Sequence, residues 1–569
     1  MKKQKNPQVD RPAERKATAP AKRKFVWWPW AVGLLGLFIV FEAYGPALDG
    51  PFVLDDRYLP FFNPRIELAS FRSWVTSARP LLMASYWVDY QMGQTATHGY
   101  HVTNVVLHFL GGVILALAVW RLLERVVVDV KARSVLAMFA GGLFLLHPLQ
   151  TESVAYVASR SEVLSVLFYY AALCVFLYKD WSAPISIWRA LAVLVLFGAA
   201  LGSKEHTLTL PALFLLIDIA WIREGWKKNA LLYGMIAALG AVGAIFVSRV
   251  LFSNSVGFGA AGLNPISYFL TECRVIWIYL AKFVVPVGLN VDPDMSITRG
   301  FDIWAALGLL GLIAVAAAAW IYRTEFPLAA LGVAIFFLLL APTSSIVPIA
   351  DVYAERRVYL PFLGLALIAI EFLRRIKFTQ MVVTCGAILA ICTFLTYQRS
   401  VVWASSLNLW QDASAKSPNK IRPNFQLAYA LYEGGHCPEA AAQYEKTSKL
   451  GPPDYPLYSD WALALDCAGD SRGAIAKLES ALALEHNAHA YALEGMVYGK
   501  QNKREQALEA LHQAEKIDPN FAPTYVYRGN VYEVGGDLVH AREQYEKALQ
   551  LDPTNSAAKQ GLQRLNQRR

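Results

Sequence analysis

The chain has few cysteines: six in 569 residues, none spaced like the ligands of a zinc or iron–sulfur site, so a cysteine-bound metal core is excluded. Charge is also scarce. Asp, Glu, Lys and Arg make up 17% of the chain against 55% apolar residues, a balance that excludes one soluble domain of this length. The net charge of +9 is largely local, because residues 1–24 hold nine Lys or Arg against Asp10 and Glu14. No nucleic-acid recognition fold accompanies that cluster, so no nucleic-acid partner is expected. The apolar run after it, Phe25 to Phe41, is too long for a signal-peptide core and has no clear small-x-small cleavage site behind it. A basic cytoplasmic tail ahead of a first membrane span is the expectation.

Apolar runs near twenty residues, the length a bilayer core demands, recur through the first 400 positions. Spans are expected near 25–43, 101–120, 134–148, 161–178, 187–202, 207–222, 230–251, 302–321, 327–347, 357–373 and 379–397. The run 267–287 is assigned as re-entrant or interfacial. If it crossed, the basic loops IYRTEF and RRIKF would fall outside, against the positive-inside rule. Eleven crossings then carry the C-terminal part to the external side. The organisation expected is a tail (1–24), a membrane domain (25–400), a connector (401–420) and a soluble domain (421–569).

With this sidedness, the polar residues that abut the spans collect on the external face. The long loop 44–100 carries Asp55 and Asp56, then Arg79 ahead of an amphipathic segment with aromatic anchors. His101, Asn104 and His108 share one helix face, which suits hydrogen bonding between helices better than a metal. Glu152, Tyr156 and Arg160 are four apart, as in an ion-pair ladder, but charges at a membrane edge are costly unless used. Lys204-Glu205-His206 and Glu355-Arg356-Arg357 place cations where the loop bias disfavours them. A phosphate at headgroup level explains them, because Arg meets phosphate with its planar fork and Lys as a point charge; ordinary lipid headgroups are the plainer partner. Carboxylates beside phosphate-binding cations fit the transfer of a sugar from a lipid phosphate. A carboxylate takes the acceptor's proton and the cations stabilise the departing phosphate.

After position 420, four segments of 33–34 residues align. Ala428, Ala462, Gly495 and Gly529 mark the first helix of each, and Ala440, Ala474, Ala507 and Ala541 the second. This is the tetratricopeptide pattern, an α-solenoid of paired helices whose concave face suits a polypeptide, although a plain spacer is the alternative. Cys437 and Cys467 fall at helix ends on one edge of such a stack, so a disulfide is expected there on an oxidising side of the membrane.

The order of the segments LDDRYLP, RPLLMASYWVDY, GYHVTNVVLH, LLHPLQTESVAYVASRSE, GSKEHT and AERRVYLP, followed by tetratricopeptide repeats, resembles the transmembrane-and-tetratricopeptide O-mannosyltransferases and their bacterial relatives. The resemblance runs from about residue 45 to the end. It implies an all-α polytopic fold of the GT-C glycosyltransferase type and a polyprenyl-phosphate-linked sugar donor. It also implies inverting transfer to Ser or Thr of a protein held partly by the repeats. Asp55 and Asp56 are then the catalytic pair, with the base not distinguished between them. Lys204, Arg356 and Arg357 would bind the donor phosphate. Arg79, His101, His147, Glu152, Arg160, Glu205 and Glu355 would line the site. A divalent metal between carboxylate and phosphate is compatible with the resemblance, although the sequence offers no dedicated ligand set. The implied setting is a bacterial inner membrane, with the N-terminus cytoplasmic and the repeats periplasmic. A non-enzymatic membrane scaffold for envelope proteins, or a transferase acting on lipid or polysaccharide, are the other readings of the same residues.

Overall fold

A computed structural model describes residues 28–62, 70–77, 79–181, 183–223, 226–251, 264–300 and 302–567. The basic tail 1–24 lies outside them. The described residues fold into helices with no β-strand among them. Five helices are long and apolar enough to cross a membrane: Thr97–Leu123, Val157–Leu177, Glu205–Ile222, Ile303–Ile321 and Phe378–Val402. The pair Val130–Leu146 and Pro148–Ala155, bent by 50°, makes a sixth if it is one span. Four shorter apolar helices stand at Ala31–Ala47, Ile187–Leu201, Pro327–Leu340 and Phe362–Leu373. The last, at 1.5 Å per residue, is only about 18 Å long. Pro265–Val284, the segment assigned as non-crossing, is a single helix.

Small residues set the closest helix approaches. A Cβ on Gly332 would lie 2.5 Å from the Gly364 carbonyl, and one on Gly364 2.4 Å from that of Gly332, so Pro327–Leu340 and Phe362–Leu373 meet backbone to backbone. Apolar side chains that stay exposed on Ile303–Ile321, such as Leu307, Leu310 and Ile313, form a face suited to lipid.

Past Phe378–Val402 the connector is itself a helix, Ser406–Lys416, packed on the first repeat helix Ile421–Glu433. Four helix pairs follow, and Ser556–Gln567 closes the solenoid. Ala428, Ala440, Ala474, Ala507 and Ala541 are fully buried between paired helices. At Gly495 a Cβ would meet Leu511 at 2.5 Å, and at Gly529 it would meet Tyr545 at 2.6 Å, so larger residues there would push the pairs apart. Cys437 and Cys467 are disulfide-bonded, with Cα atoms 5.7 Å apart.

Two sets of contacts stand out among those that tie the solenoid to the membrane domain. One is an apolar cluster: Ala47, Val53, Tyr156, Trp403, Trp410 and Ala430 bring the first loop, the segment after His147, the connector and the first repeat together. The other is ionic. Asp292, almost fully buried, takes Lys420 Nζ and Arg422 Nε at 2.6 Å each, and Asp351 takes Arg422 at 3.0 Å.

Candidate active site

After Trp28–Tyr44 the chain turns through Gly45–Ala47 and enters one tight turn, Leu54–Tyr58. Leu54 has φ +51°, a left-handed conformation that a branched side chain seldom adopts, and three hydrogen bonds hold the turn around it. The Asp55 N–H donates to the Tyr156 hydroxyl at 2.8 Å. The Asp56 carboxylate accepts from the backbone N–H of Val53 at 2.9 Å and of Ala158 at 2.6 Å. Neighbours in sequence therefore part in space: Asp56 is fully buried with both oxygens engaged, and the Asp55 side chain is exposed. Burial pushes the Asp56 carboxyl up to about 7, against the pull of the two backbone donors; Asp55 adds to the rise and Arg160 opposes it.

The partner wall is the stretch after His147. Glu152, Tyr156 and Arg160 do not form a ladder on one helix. The chain makes a short helix, Thr151–Ala155, leaves helical geometry at Tyr156 and turns through Val157–Ser159 before the helix Arg160–Leu177. Each of the three then finds a distant partner. Glu152 pairs with the Arg356 guanidinium and also accepts the Arg356 backbone N–H at 3.3 Å. Tyr156 holds Asp55, stacks on Trp403 at 6.2 Å and lies 6.0 Å beneath the Arg356 guanidinium carbon. Arg160, fully buried, donates to Asn104 at 2.7 Å and to the Tyr100 carbonyl at 2.8 Å, and meets Asp89 at 2.6 Å.

The cations of these clusters are already matched by carboxylates. Lys204 pairs with Glu162, which also lies 3.4 Å from His206. Arg79 grips Glu205 through two bonds of 2.9 Å. Arg356 and Arg79 are both within electrostatic range of Lys204, so one polar zone holds Arg79, Glu152, Glu162, Lys204, Glu205 and Arg356. Through Tyr156 that zone reaches Asp55.

The remaining expected site residues point elsewhere. Arg357 turns away from Arg356 to Glu272 at 2.9 Å and Tyr268 at 3.0 Å. Glu355 faces the solenoid junction, accepting the Asn290 N–H at 2.6 Å with Arg399 4.0 Å away; burial pushes its carboxyl up to about 7, with Arg399 opposing. His101 bonds the Gly50 carbonyl at 3.0 Å, and His147 bonds that of Phe283 at 3.0 Å and stacks on its ring. Asn104 and His108 likewise bond other segments, Asn104 to Arg160 and His108 to Tyr359 at 2.8 Å. Among the described residues no group of three His, Cys, Asp or Glu is gathered for a metal ion, so the donor set does not fit a dedicated metal site.

Sequence reasoning missed Glu162, Glu272 and Asp89, the counter-charges of Lys204, Arg357 and Arg160. Each sits in an apolar or aromatic helix, and that isolation was the available signal. The loop also meets the solenoid: Arg57 lies 4.9 Å over the Tyr429 ring, and Asp460 of the second repeat is within electrostatic range of Arg57. Burial pushes the Asp460 carboxyl up to about 6, with Arg57 opposing.

Tetratricopeptide repeat models match residues 488–521 and 522–555. Beyond the repeats, the chain is 26% identical over 456 residues to a protein O-mannosyl-transferase of Caenorhabditis elegans, F38B6.6, an alignment covering 74% of this chain and 62% of that one. The chain is similar in sequence to protein O-mannosyl-transferases. Human TMTC3 aligns at 21% identity over 87% of this chain and 59% of its own length. Human TMTC1 aligns at 22% over 72% and 54%. The chain thus spans about 60% of the length of the first two of these relatives. Its long apolar helices and these relatives together mark it as a membrane protein.

Proposed function

We propose that this chain is an integral membrane glycosyltransferase of the GT-C type. It would move a sugar, mannose by the names of its relatives, from a polyprenyl-phosphate donor to Ser or Thr of a protein. The observation that carries the reading is that Tyr156, which lies under Arg356, accepts the backbone N–H of Asp55, whose side chain is exposed beside that zone. Asp55 is the general base. Its oxygen takes the acceptor hydroxyl proton while the hydroxyl oxygen bonds to C1 of the sugar. The C1–O bond to phosphate breaks, and its electron pair leaves with the polyprenyl phosphate. Arg356 and Lys204 stand beside the charge that grows on the phosphate, each kept in place by a carboxylate, so neither must reorganise as the reaction proceeds. Asp56 is fully buried, with a backbone N–H on each oxygen, and anchors the turn instead.

The acceptor would arrive from the solenoid, whose first repeats touch the loop at Arg57. The eleven crossings, a cytoplasmic N-terminus and a periplasmic solenoid complete the proposal. The Cys437–Cys467 bond supports an oxidising compartment for the repeats.

The test is transfer by purified protein from a polyprenyl-phosphate sugar to a Ser/Thr peptide, read by mass spectrometry, with Asp55→Asn alongside. Product from the unaltered protein and at least a hundredfold loss in Asp55→Asn, on the scale of general-base catalysis, is the expected result. A folded protein that makes no product while its solenoid still binds envelope proteins would identify a scaffold instead.

A further inference from the structure

We propose that the Tyr156 hydroxyl contacts the donor directly, giving its hydrogen to a phosphate oxygen held against Arg356; this rests on the transferase reading above. A tyrosine hydroxyl has one hydrogen to give and lone pairs to receive with. The Asp55 N–H takes the receiving side at 2.8 Å. Among the described residues no acceptor takes the hydrogen, although the side chain is only 3% exposed. A buried donor without a partner is costly, so one that persists in a site calls for an acceptor supplied by a ligand.

The surroundings specify that acceptor. The charged groups that act most strongly on the hydroxyl are Asp56, Asp55 and Arg356. Each Asp56 oxygen accepts a backbone N–H, from Val53 or Ala158, and neither is bonded to the hydroxyl. Arg356 has only donors, and it sits 6.0 Å over the ring. An anion against Arg356 meets a guanidinium and a hydroxyl hydrogen together, whereas a neutral sugar hydroxyl uses little of that charge. The donor's phosphodiester, and the polyprenyl phosphate monoester it leaves as, have both the charge and the acceptor oxygens. The ring stack on Trp403, which leads from Phe378–Val402 into the connector, fixes the hydroxyl without help from a ligand. One side chain therefore holds the backbone of the base through its oxygen and the leaving group through its hydrogen.

Tyr156→Phe keeps the ring, its stack and its contact with Arg356, and removes only the hydroxyl. Binding of a short polyprenyl monophosphate to the full-length protein in detergent, measured by calorimetry, should weaken roughly tenfold to a hundredfold in Tyr156→Phe. A role confined to steadying Asp55 would slow transfer and leave that affinity untouched. Equal affinity in a monodisperse Tyr156→Phe protein therefore overturns the contact, while the transferase reading stands on the activity of the unaltered protein. Should Tyr156→Phe aggregate, 3-fluorotyrosine at position 156 replaces it. Its ¹⁹F resonance should move on adding polyprenyl phosphate and stay fixed with the polyprenyl alcohol, and a resonance indifferent to both overturns the contact. A shift with inorganic phosphate or phosphatidylglycerol vesicles but not with polyprenyl phosphate overturns the assignment to the donor. An unaltered protein that binds no polyprenyl phosphate overturns both proposals.

Discussion

Asp55 and Asp56 have the same side chain and are adjacent in sequence, yet their surroundings give them opposite properties. The buried Asp56 carboxyl is raised to about 7 chiefly by desolvation, from an ordinary carboxylate value near 4. Because the folded state holds that proton more tightly than the unfolded chain, the stabilisation is fully present below about pH 4 and is lost as pH rises through about 7. The first loop should accordingly loosen between about pH 4 and 7, with the protection of the Val53 and Ala158 amides, measured against their intrinsic base-catalysed exchange, falling over that window. Asp56→Asn should flatten this pH dependence and cost about 1–3 kcal/mol, since only one of its two acceptor oxygens survives. Protection that stays constant across that window in the unaltered protein would contradict the assignment.

Among the elements, the segment after His147 matters most. A continuous helix would have left Glu152, Tyr156 and Arg160 on one face; its break at Tyr156 sends them to Arg356, Asp55 and Asn104 instead. The junction has a similar economy, because one buried carboxylate, Asp292, receives two cations from the start of the solenoid. Lys420 and Arg422 are partly exposed, so their attraction is screened, and the bonds to Asp292 are worth about 1–3 kcal/mol together rather than the full value of a buried pair. Asp292→Ala should thus leave both domains folded and weaken their docking. Limited proteolysis around residues 403–420 should become several-fold faster, with transfer to a peptide acceptor reduced. An unchanged cleavage rate would show that the Trp403–Trp410 cluster suffices.

At the scale of the whole molecule, the site needs its loop, its cations and the solenoid in one compartment. Single cysteines at Thr95 and Gln563, both exposed, should react with an impermeant maleimide from the same side of sealed vesicles. Labelling from opposite sides would dismantle the proposed site. Replacing Cys437 and Cys467 by Ser should cost the solenoid about 2–4 kcal/mol, seen as a lower Tm, because the unfolded chain regains the freedom of the loop that the bond closes.

The sequence determined what local pattern can encode. Apolar runs became helices, and small residues every 33–34 positions became a tetratricopeptide stack, because periodicity and side-chain size act on near neighbours. The acidic pair and the cations were legible as polar residues in an apolar setting. Only the tertiary structure decided which aspartate is exposed, that Arg356 turns to Glu152 while Arg357 turns to Glu272, and that Tyr156 joins base to cation. These contacts bridge separations such as 101 residues for Asp55–Tyr156 and 204 for Glu152–Arg356. At that range the partner is chosen by how the helices pack, and no local pattern in the chain records the choice.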